Sequence, residues 1–310
     1  MNGRTIKIID GSANTLLVNE ICTFKGLERA WTKTKVSSFS DGETQIEIQE
    51  NVRGADVFVI QPTSPPANEH LMQLFLILDA LKRSDCWRVT AVIPYFSYGR
   101  QDKKIKPRVP ISARAIADMI QLGKPDRILT MDLHSSPIQG FFSIPVDNLF
   151  ASSIFCDHMK EHLEEETVIV SPDVGGVARS VHYSKQLGVE TAIIHKSREN
   201  PNEISKMILL GNVRGKNVII TDDMIDTAGT ICKASTILRQ AGAKKIIGYA
   251  SHGVFSGDAH YNLKKSDFDE IFVTDSIYND SKLYNIISCS ELFAKAILNI
   301  HNETSVSCLF

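Results

Sequence analysis

Val218 to Thr230 reads VIITDDMIDTAGT, and the way this stretch divides decides the fold. Val218 to Thr221 has the continuous apolar character of a strand buried on both faces. Asp226-Thr227-Ala228-Gly229-Thr230 reads as a turn, and a helix is expected from near Ile231. The free N–H groups of such a turn and helix start can hold a phosphate monoester, and the hydroxyls of Thr227 and Thr230 add donors. Gly229 allows close approach of backbone to ligand. A βα loop capped by Thr or Asp is the plainer reading, but Asp222, Asp223 and Asp226 together exceed what a cap needs. Carboxylates beside a phosphate cradle need partners of their own, such as sugar hydroxyls or a hydrated Mg²⁺. A ligand carrying both a phosphate and a diol, such as ribose 5-phosphate, satisfies the whole stretch.

Similar apolar runs recur on both sides, at 56–60, 88–93, 127–131, 167–171, 191–195, 245–250 and 270–274. Segments with helical period lie between many of them. Leu71, Leu74, Phe75, Leu78 and Leu81 share one stripe, with Asn68 as the expected N-cap. Ile231, Ala234, Leu238 and Ala241 form another, with Gly242 at the C-terminal stop. Strands alternating with helices predict an α/β protein of βαβ units with parallel sheets. So many strands exceed one compact unit. Two tandem domains are expected, with a boundary near 145–152, where Pro145 and small polar residues fall.

At 310 residues the chain can hold two ordinary cores. With 43% hydrophobic and 23% charged residues and a net charge of −2, it carries no global field that draws it to nucleic acid or a membrane surface. Phosphate-binding charge must therefore be local. No apolar run reaches the length of a membrane span, and the N-terminus lacks a signal peptide's pattern. The six scattered cysteines include no C-x-x-C pair and read as free thiols of a reducing compartment, so the cytoplasm is expected.

Four further stretches carry chemistry. Tyr98 to Arg108, YGRQDKKIKPR, surrounds Asp102 with Arg100, Lys103, Lys104, Lys106 and Arg108 directly after a strand. A solvated basic loop is the usual reading of such a run, but at a strand's carboxyl end it suits polyphosphate. MDLHS places Asp132 and His134 at another strand end, where the histidine can meet a metal or phosphate or serve as a structural hydrogen-bonding group. SPDVGGVARS, 171–180, puts Asp173 ahead of a glycine pair, as a direct or water-mediated Mg²⁺ ligand. HKSRENPNE, 195–203, offers Lys196 and Arg198 as a cationic flap over a phosphate site, or as an ordinary surface loop. His158 and His162, spaced i,i+4 in a charged segment, read as an exposed helix face, and Phe141-Phe142 as core or interface.

Together these pieces resemble the ribose-phosphate pyrophosphokinase family (phosphoribosyl pyrophosphate synthases, type I phosphoribosyltransferase fold). VIITDDMIDTAGT resembles its phosphoribosyl-pyrophosphate signature. FSDGE (39–43), ENVRG (50–54), AVIPYFSYGRQDKK (91–104), MDLHSSPIQGFFSIPVDNLFA (131–151), VSPDVGG (170–176) and HGVFSG (252–257) follow nearly end to end and in order. The resemblance implies two phosphoribosyltransferase-like (Rossmann-like) domains. One, 1–148, would take ATP and oligomerise, with the tail 294–310 packed on it. The other, 149–293, would bind ribose 5-phosphate. The implied reaction moves the β,γ-diphosphoryl group of ATP to the 1-hydroxyl of ribose 5-phosphate, with Mg²⁺, feeding nucleotide, His and Trp biosynthesis.

On that resemblance, Phe39, Asp41, Gly42, Glu43, Arg100, Gln101 and Asp102 would engage ATP, with Phe39, Asp41 and Glu43 on the adenine across a subunit interface. Asp226, Thr227, Ala228, Gly229 and Thr230 would cradle the 5-phosphate, with Asp222 and Asp223 on the ribose hydroxyls or the metal's shell. His134 and Asp173 would serve Mg²⁺. Lys196 and Arg198 match the mobile catalytic loop, Arg198 also reaching ribose 5-phosphate. A homohexamer built from dimers is implied, with phosphate as activator through Arg53, Lys104, Arg108, Ser305 and Ser307. The loop is less basic than usual, carrying Ser197, Glu199 and Asn200, and Ala228 stands where Gly or Cys is frequent. A catalytically silent regulatory relative is the alternative, but such relatives lose or interrupt these loops. A phosphoribosyltransferase would lack the first half.

Overall fold

The computed structural model describes residues 3–197 and 206–309. The chain divides into two compact units, Met1–Phe150 with Ser276–Tyr278 and Ser288–Phe310, and Ala151–Asp275 with Asn279–Ile287. Each unit is an α/β layer structure, as the alternation of strand and helix patterns predicts.

The first unit holds a six-stranded sheet in the order β2 (Trp31–Thr32), β1 (Ile6–Asp10), β5 (Asp56–Ile60), β6 (Arg88–Ile93), β7 (Arg127–Met131) and β8 (Val146–Leu149), every pair parallel. All five residues of β5 are buried, so its unbroken apolar run reflects cover on both faces. Helices α1 (Thr15–Ile21), α2 (Ala67–Arg83) and α3 (Ser112–Leu122) belong to this unit. α2 buries Leu71, Leu74, Leu78 and Leu81 of the expected stripe together with Ile77, while Phe75 is only half-buried at the edge of that face. Asn68 is not its N-cap: the helix starts at Ala67 after Pro66, and Asn68 instead accepts a hydrogen bond from the Tyr98 hydroxyl at 2.5 Å. A separate antiparallel hairpin, β3 (Thr34–Ser38) and β4 (Thr44–Ile48), has no counterpart in the apolar runs, because its faces are only half-buried.

The C-terminal helix α8 (Ser290–His301) also belongs to the first unit. Its end is tied down by an ionic cluster. Arg88 donates to Asp56 through Nε at 2.8 Å and Nη2 at 2.6 Å, and its Nη2 reaches the Ile300 carbonyl at 2.9 Å. His301 Nδ1 meets Asp56 Oδ2 at 2.8 Å.

The second unit orders its seven strands β11 (Lys206–Leu210), β10 (Glu190–Ser197), β9 (Thr167–Ser171), β12 (Asn217–Ile225), β13 (Lys245–Gly253), β14 (Glu270–Thr274) and β15 (Asn285–Ile287). Only β10 and β11 pair antiparallel. Around them run α4 (Ser152–Glu161), α5 (Val177–Leu187), α6 (Gly229–Gln240) and α7 (Ala259–Lys264). α6 buries Ile231, Ala234 and Leu238 from the expected stripe, and Gly242 follows its end with φ +91, a left-handed stop that glycine adopts without strain. From β9 the chain turns to β10 on one side and later returns to β12 on the other. The strand order therefore reverses between β9 and β12, and open parallel sheets form their ligand crevice outside the carboxyl ends at such a point.

Two local expectations change. The strand expected at 218–221 runs on to Ile225, because β13 keeps pairing with it through Asp222↔Ala250, Met224↔His252 and Ile225↔Gly253. His158 does not lie on an open helix face: its Nδ1 is 2.9 Å from the Tyr249 hydroxyl, and its ring lies 4.6 Å from that of Phe272. Burial there pushes its pKa down from the ordinary histidine value, with His162 adding to the effect. Phe142 is core, edge-on to Phe96 at 6.0 Å.

Candidate functional site

At the reversal point the carboxyl ends of β9 and β12 present the acids. β12 carries Asp222 half-buried and Asp223 buried, since successive strand residues face opposite ways. Arg179, two residues into α5, reaches both: its Nη1 lies 3.2 Å from Asp222 Oδ1 and its Nη2 3.3 Å from Asp223 Oδ1. The Asp223 N–H donates to Asp222 Oδ1 at 2.9 Å. Sequence reading missed Arg179. The only available signal was its place just after the glycine pair of SPDVGG, in the βα unit neighbouring β12.

Burial, then the neighbouring Asp223 charge, push the Asp222 carboxyl up to about 8, against the opposing pull of Arg179. The two carboxylates are one coupled pair, and the raised affinity belongs to their shared proton. A folded-state pKa above the unfolded value means that folding takes up a proton. The stabilisation is full below about pH 4 and is lost as pH rises to about 8. The wild-type melting temperature is therefore expected to fall more steeply than that of Asp222→Asn across this window. Equal slopes in thermal melts at several pH values would show that Asp222 is ionised like a surface carboxylate.

The turn after β12 has the form of an anion site. Ala228 takes the left-handed conformation, φ 61 and ψ 0, and α6 starts at Gly229 with no side-chain cap. Its first N–H groups have no side-chain cap and could serve a ligand. A Cβ added at Gly229 would meet only Thr227 Oγ1, at 3.8 Å, so the space over the turn is open. Asp226 does not point its charge freely: Ser256 Oγ donates to its Oδ1.

Asp173, after β9, is exposed, and its Oδ1 accepts from the Gly176 N–H at 2.9 Å. A Cβ at Gly176 would lie 2.9 Å from Ser171 Oγ, so this position needs glycine to keep the turn close under the strand end. Lys196 belongs to β10, in register with Met207 of β11, rather than to a loop after the strand. Arg198, Glu199 and Asn200 lie outside the described residues.

The first unit gathers its own candidates at the carboxyl ends of β6 and β7, which are neighbours. Gly99 opens the basic loop, and a Cβ there would come 3.4 Å from His134 Cβ, so the loop starts against that histidine. The Gln101 carbonyl accepts from Ala113 N–H at 3.2 Å and its side chain from Ser112 Oγ, holding the loop at the start of α3. Arg100 and His134 are exposed, and Asp102 is half-buried. Asp132 precedes His134 with φ +42, its N–H bound to the Leu149 carbonyl at 2.9 Å. Phe39, Asp41, Gly42 and Glu43 form the tip of the β3–β4 hairpin. Glu43 N–H donates to Asp41 Oδ1 at 3.0 Å, Gly42 adopts φ +92, and Phe39 is 52% exposed.

Lys104 and Arg108 are exposed in the basic loop, and Arg53 pairs across the surface with Asp85 at 3.7 Å, a contact of little energy. Ser305 and Ser307 hydroxyls lie 2.8 Å apart. Among the described residues no group of three or more His, Cys, Asp or Glu is arranged to hold a metal ion. No helix among the described residues is long and apolar enough to cross a membrane.

Residues 6–122 match the family model for the N-terminal domain of ribose phosphate pyrophosphokinase, and residues 197–310 match the phosphoribosyl synthetase-associated domain. The chain is 47% identical over 310 residues to the ribose-phosphate pyrophosphokinase of Helicobacter hepaticus, covering 99% of each. It is 44% identical over 316 residues to that of Nitrosomonas europaea, covering 100% of this chain and 99% of the relative. Its fold superposes on the crystal structure of phosphoribosylpyrophosphate synthetase from Mycobacterium smegmatis with a TM-score of 0.91 and 37% identity, over 97% of this chain and 100% of that one.

Proposed function

The chain belongs to the ribose-phosphate pyrophosphokinase family, and from that premise we propose how its own residues divide the reaction. The enzyme transfers the β,γ-diphosphoryl group of ATP to the 1-hydroxyl of ribose 5-phosphate, giving 5-phosphoribosyl 1-pyrophosphate and AMP. The observation that carries the assignment of parts is the β12–α6 turn: an uncapped helix start, open space over Gly229, and a carboxylate pair on the preceding strand.

Asp226, Thr227, Ala228, Gly229 and Thr230 hold the 5-phosphate through main-chain N–H groups and hydroxyls. Asp222 and Asp223 accept from the ribose hydroxyls, with Arg179 as their counter-charge in the free protein. Arg100, Gln101 and Asp102 take the triphosphate side of ATP. Phe39, Asp41, Gly42 and Glu43 take its adenine, and the exposed Phe39 ring at a hairpin tip supports stacking there. Lys196 and Arg198 offset charge on the transferring group.

Mg²⁺ enters with ATP as part of the substrate. Asp173 and His134 are the residues we assign to Mg²⁺ sites, each within its own unit. The Asp173 carboxylate is a hard oxygen donor, and the softer His134 imidazole would meet an ion through one of its waters. When bound, it would neutralise phosphate charge; the chain's own groups align the acceptor hydroxyl with the β-phosphorus. Inorganic phosphate as activator, through Arg53, Lys104, Arg108, Ser305 and Ser307, and a homo-oligomer, a hexamer built from dimers, complete the reading. Six free cysteines suit the reducing cytoplasm.

Gly229→Val tests the cradle. The added Cβ meets only Thr227 Oγ1, at 3.8 Å, in the free protein, and the branched side chain would occupy the phosphate's place. The KM for ribose 5-phosphate is expected to rise about tenfold, with the KM for ATP unchanged, in an assay following AMP. An unaltered KM for ribose 5-phosphate would remove the 5-phosphate from this turn.

A further inference from the structure

The connection that follows β13, residues 254–262, grips the phosphate turn at three successive positions. The N–H groups of Val254 and Phe255 both donate to the Ile225 carbonyl, at 2.9 and 3.1 Å. Ser256 Oγ donates to Asp226 Oδ1. Asn262 Nδ2, from α7, donates to the Thr227 carbonyl at 2.9 Å.

The last of these bonds acts on the cradle itself. The Thr227–Ala228 peptide is trans, so the Thr227 carbonyl and the Ala228 N–H point in opposite directions. Holding the carbonyl toward α7 therefore turns the Ala228 N–H away from α7. The next residue needs such support. Ala228 carries a Cβ in the left-handed region, which a residue other than glycine adopts at a cost. The clamp that supplies the support is itself anchored. The Phe255 ring stacks on Tyr284 at 4.2 Å, Ala259 and Leu263 are buried, and the Asn262 N–H donates to the Asp258 carbonyl at 2.9 Å. Gly229 and Asn262 also line one cavity, so the side chain sits beside the start of α6.

We propose that Asn262 is a positioning residue for ribose 5-phosphate: its side-chain amide, by holding the Thr227 carbonyl, aims the turn's N–H groups at the 5-phosphate. The proposal rests on the reading of Asp226–Thr230 as the phosphate cradle. It requires a donor at this position. Aspartate has nearly the same shape but sets a second acceptor against the carbonyl and brings negative charge close to the phosphate.

The test compares kcat and KM of wild type, Asn262→Ala, Asn262→Asp and Gly229→Val, by AMP formation, with thermal melts to confirm folding. Asn262→Ala is expected to raise the KM for ribose 5-phosphate about fivefold, the effect of one lost hydrogen bond, with kcat within about twofold and the KM for ATP unchanged. Asn262→Asp should raise it further, to about tenfold. A merely structural residue would lower the active fraction, hence kcat, at constant KM, and that result overturns the proposal. So does a KM within about twofold of wild type in both Asn262 variants. If Asn262→Ala fails to fold, the near-isosteric Asn262→Asp decides. A raised KM in Gly229→Val beside unchanged Asn262 variants rejects the clamp alone, whereas an unchanged KM in Gly229→Val rejects the cradle reading beneath it.

Discussion

Lys196→Ala is expected to lower turnover by about 10²–10³-fold while ribose 5-phosphate still binds. Transfer of a phosphoryl-type group asks little covalent chemistry of the protein. Most of the acceleration comes from alignment and from cations placed where charge spreads over the transferring group's oxygens. A lysine ammonium is a compact charge, and alanine leaves nothing in its place. Binding should survive, because the proposed phosphate cradle lies between β12 and α6 and Lys196 is on β10. Calorimetric titration with ribose 5-phosphate in the absence of ATP, beside kcat from AMP formation, separates the two effects. Turnover near the wild-type value would show that Lys196 does not serve the transferring group.

Asp56→Ala should be the most damaging single change to stability in the first unit. Asp56 is fully buried at the start of β5, and it receives two hydrogen bonds from Arg88 and one contact from His301. Truncating it leaves the Arg88 guanidinium, only 17% exposed, without its carboxylate. Breaking a buried pair from one side costs about 3–5 kcal/mol, far more than the pair's net contribution. The Trp87 ring beside Arg88, 4.7 Å from its guanidinium, compensates in small part. In a chain of this size the melting temperature should drop on the order of 10 °C. Because His301 and the Ile300 carbonyl share the cluster, limited proteolysis should also find α8 cut sooner than in wild type. His301→Ala should cost less, since it leaves the Asp56–Arg88 pair intact. A loss below about 1 kcal/mol for Asp56→Ala would mean that water already solvates this cluster.

The division between what was readable from the residues and what was not follows the range of the forces involved. The buried strands at 56–60, 88–93, 167–171 and 270–274 and the stripes of α2 and α6 were legible, because burial imposes a period on neighbouring residues. So was the turn between β12 and α6, because the short polar residues and the glycine that shape it stand side by side. The hairpin that presents Phe39 was legible only as a motif resembling a family, because half-buried strands carry little apolar signal. β12 reads past its aspartates to Ile225 only once β13 lies beside it, since pairing outweighs the weak strand preference of Asp.

The sequence by itself determined the α/β class, the family and a turn after β12, though that turn ends at Ala228 because α6 starts at Gly229, two residues before the expected Ile231. Only the tertiary structure brought Arg179 to Asp222 and Asp223, closed Asp56, Arg88 and His301 into one cluster, and set Asn262 on the Thr227 carbonyl. The partners in these contacts are separated by as many as 245 residues, and no local period records them. They exist because a buried charge or carbonyl must find a partner in whatever element packs against it, and strand order decides which element that is.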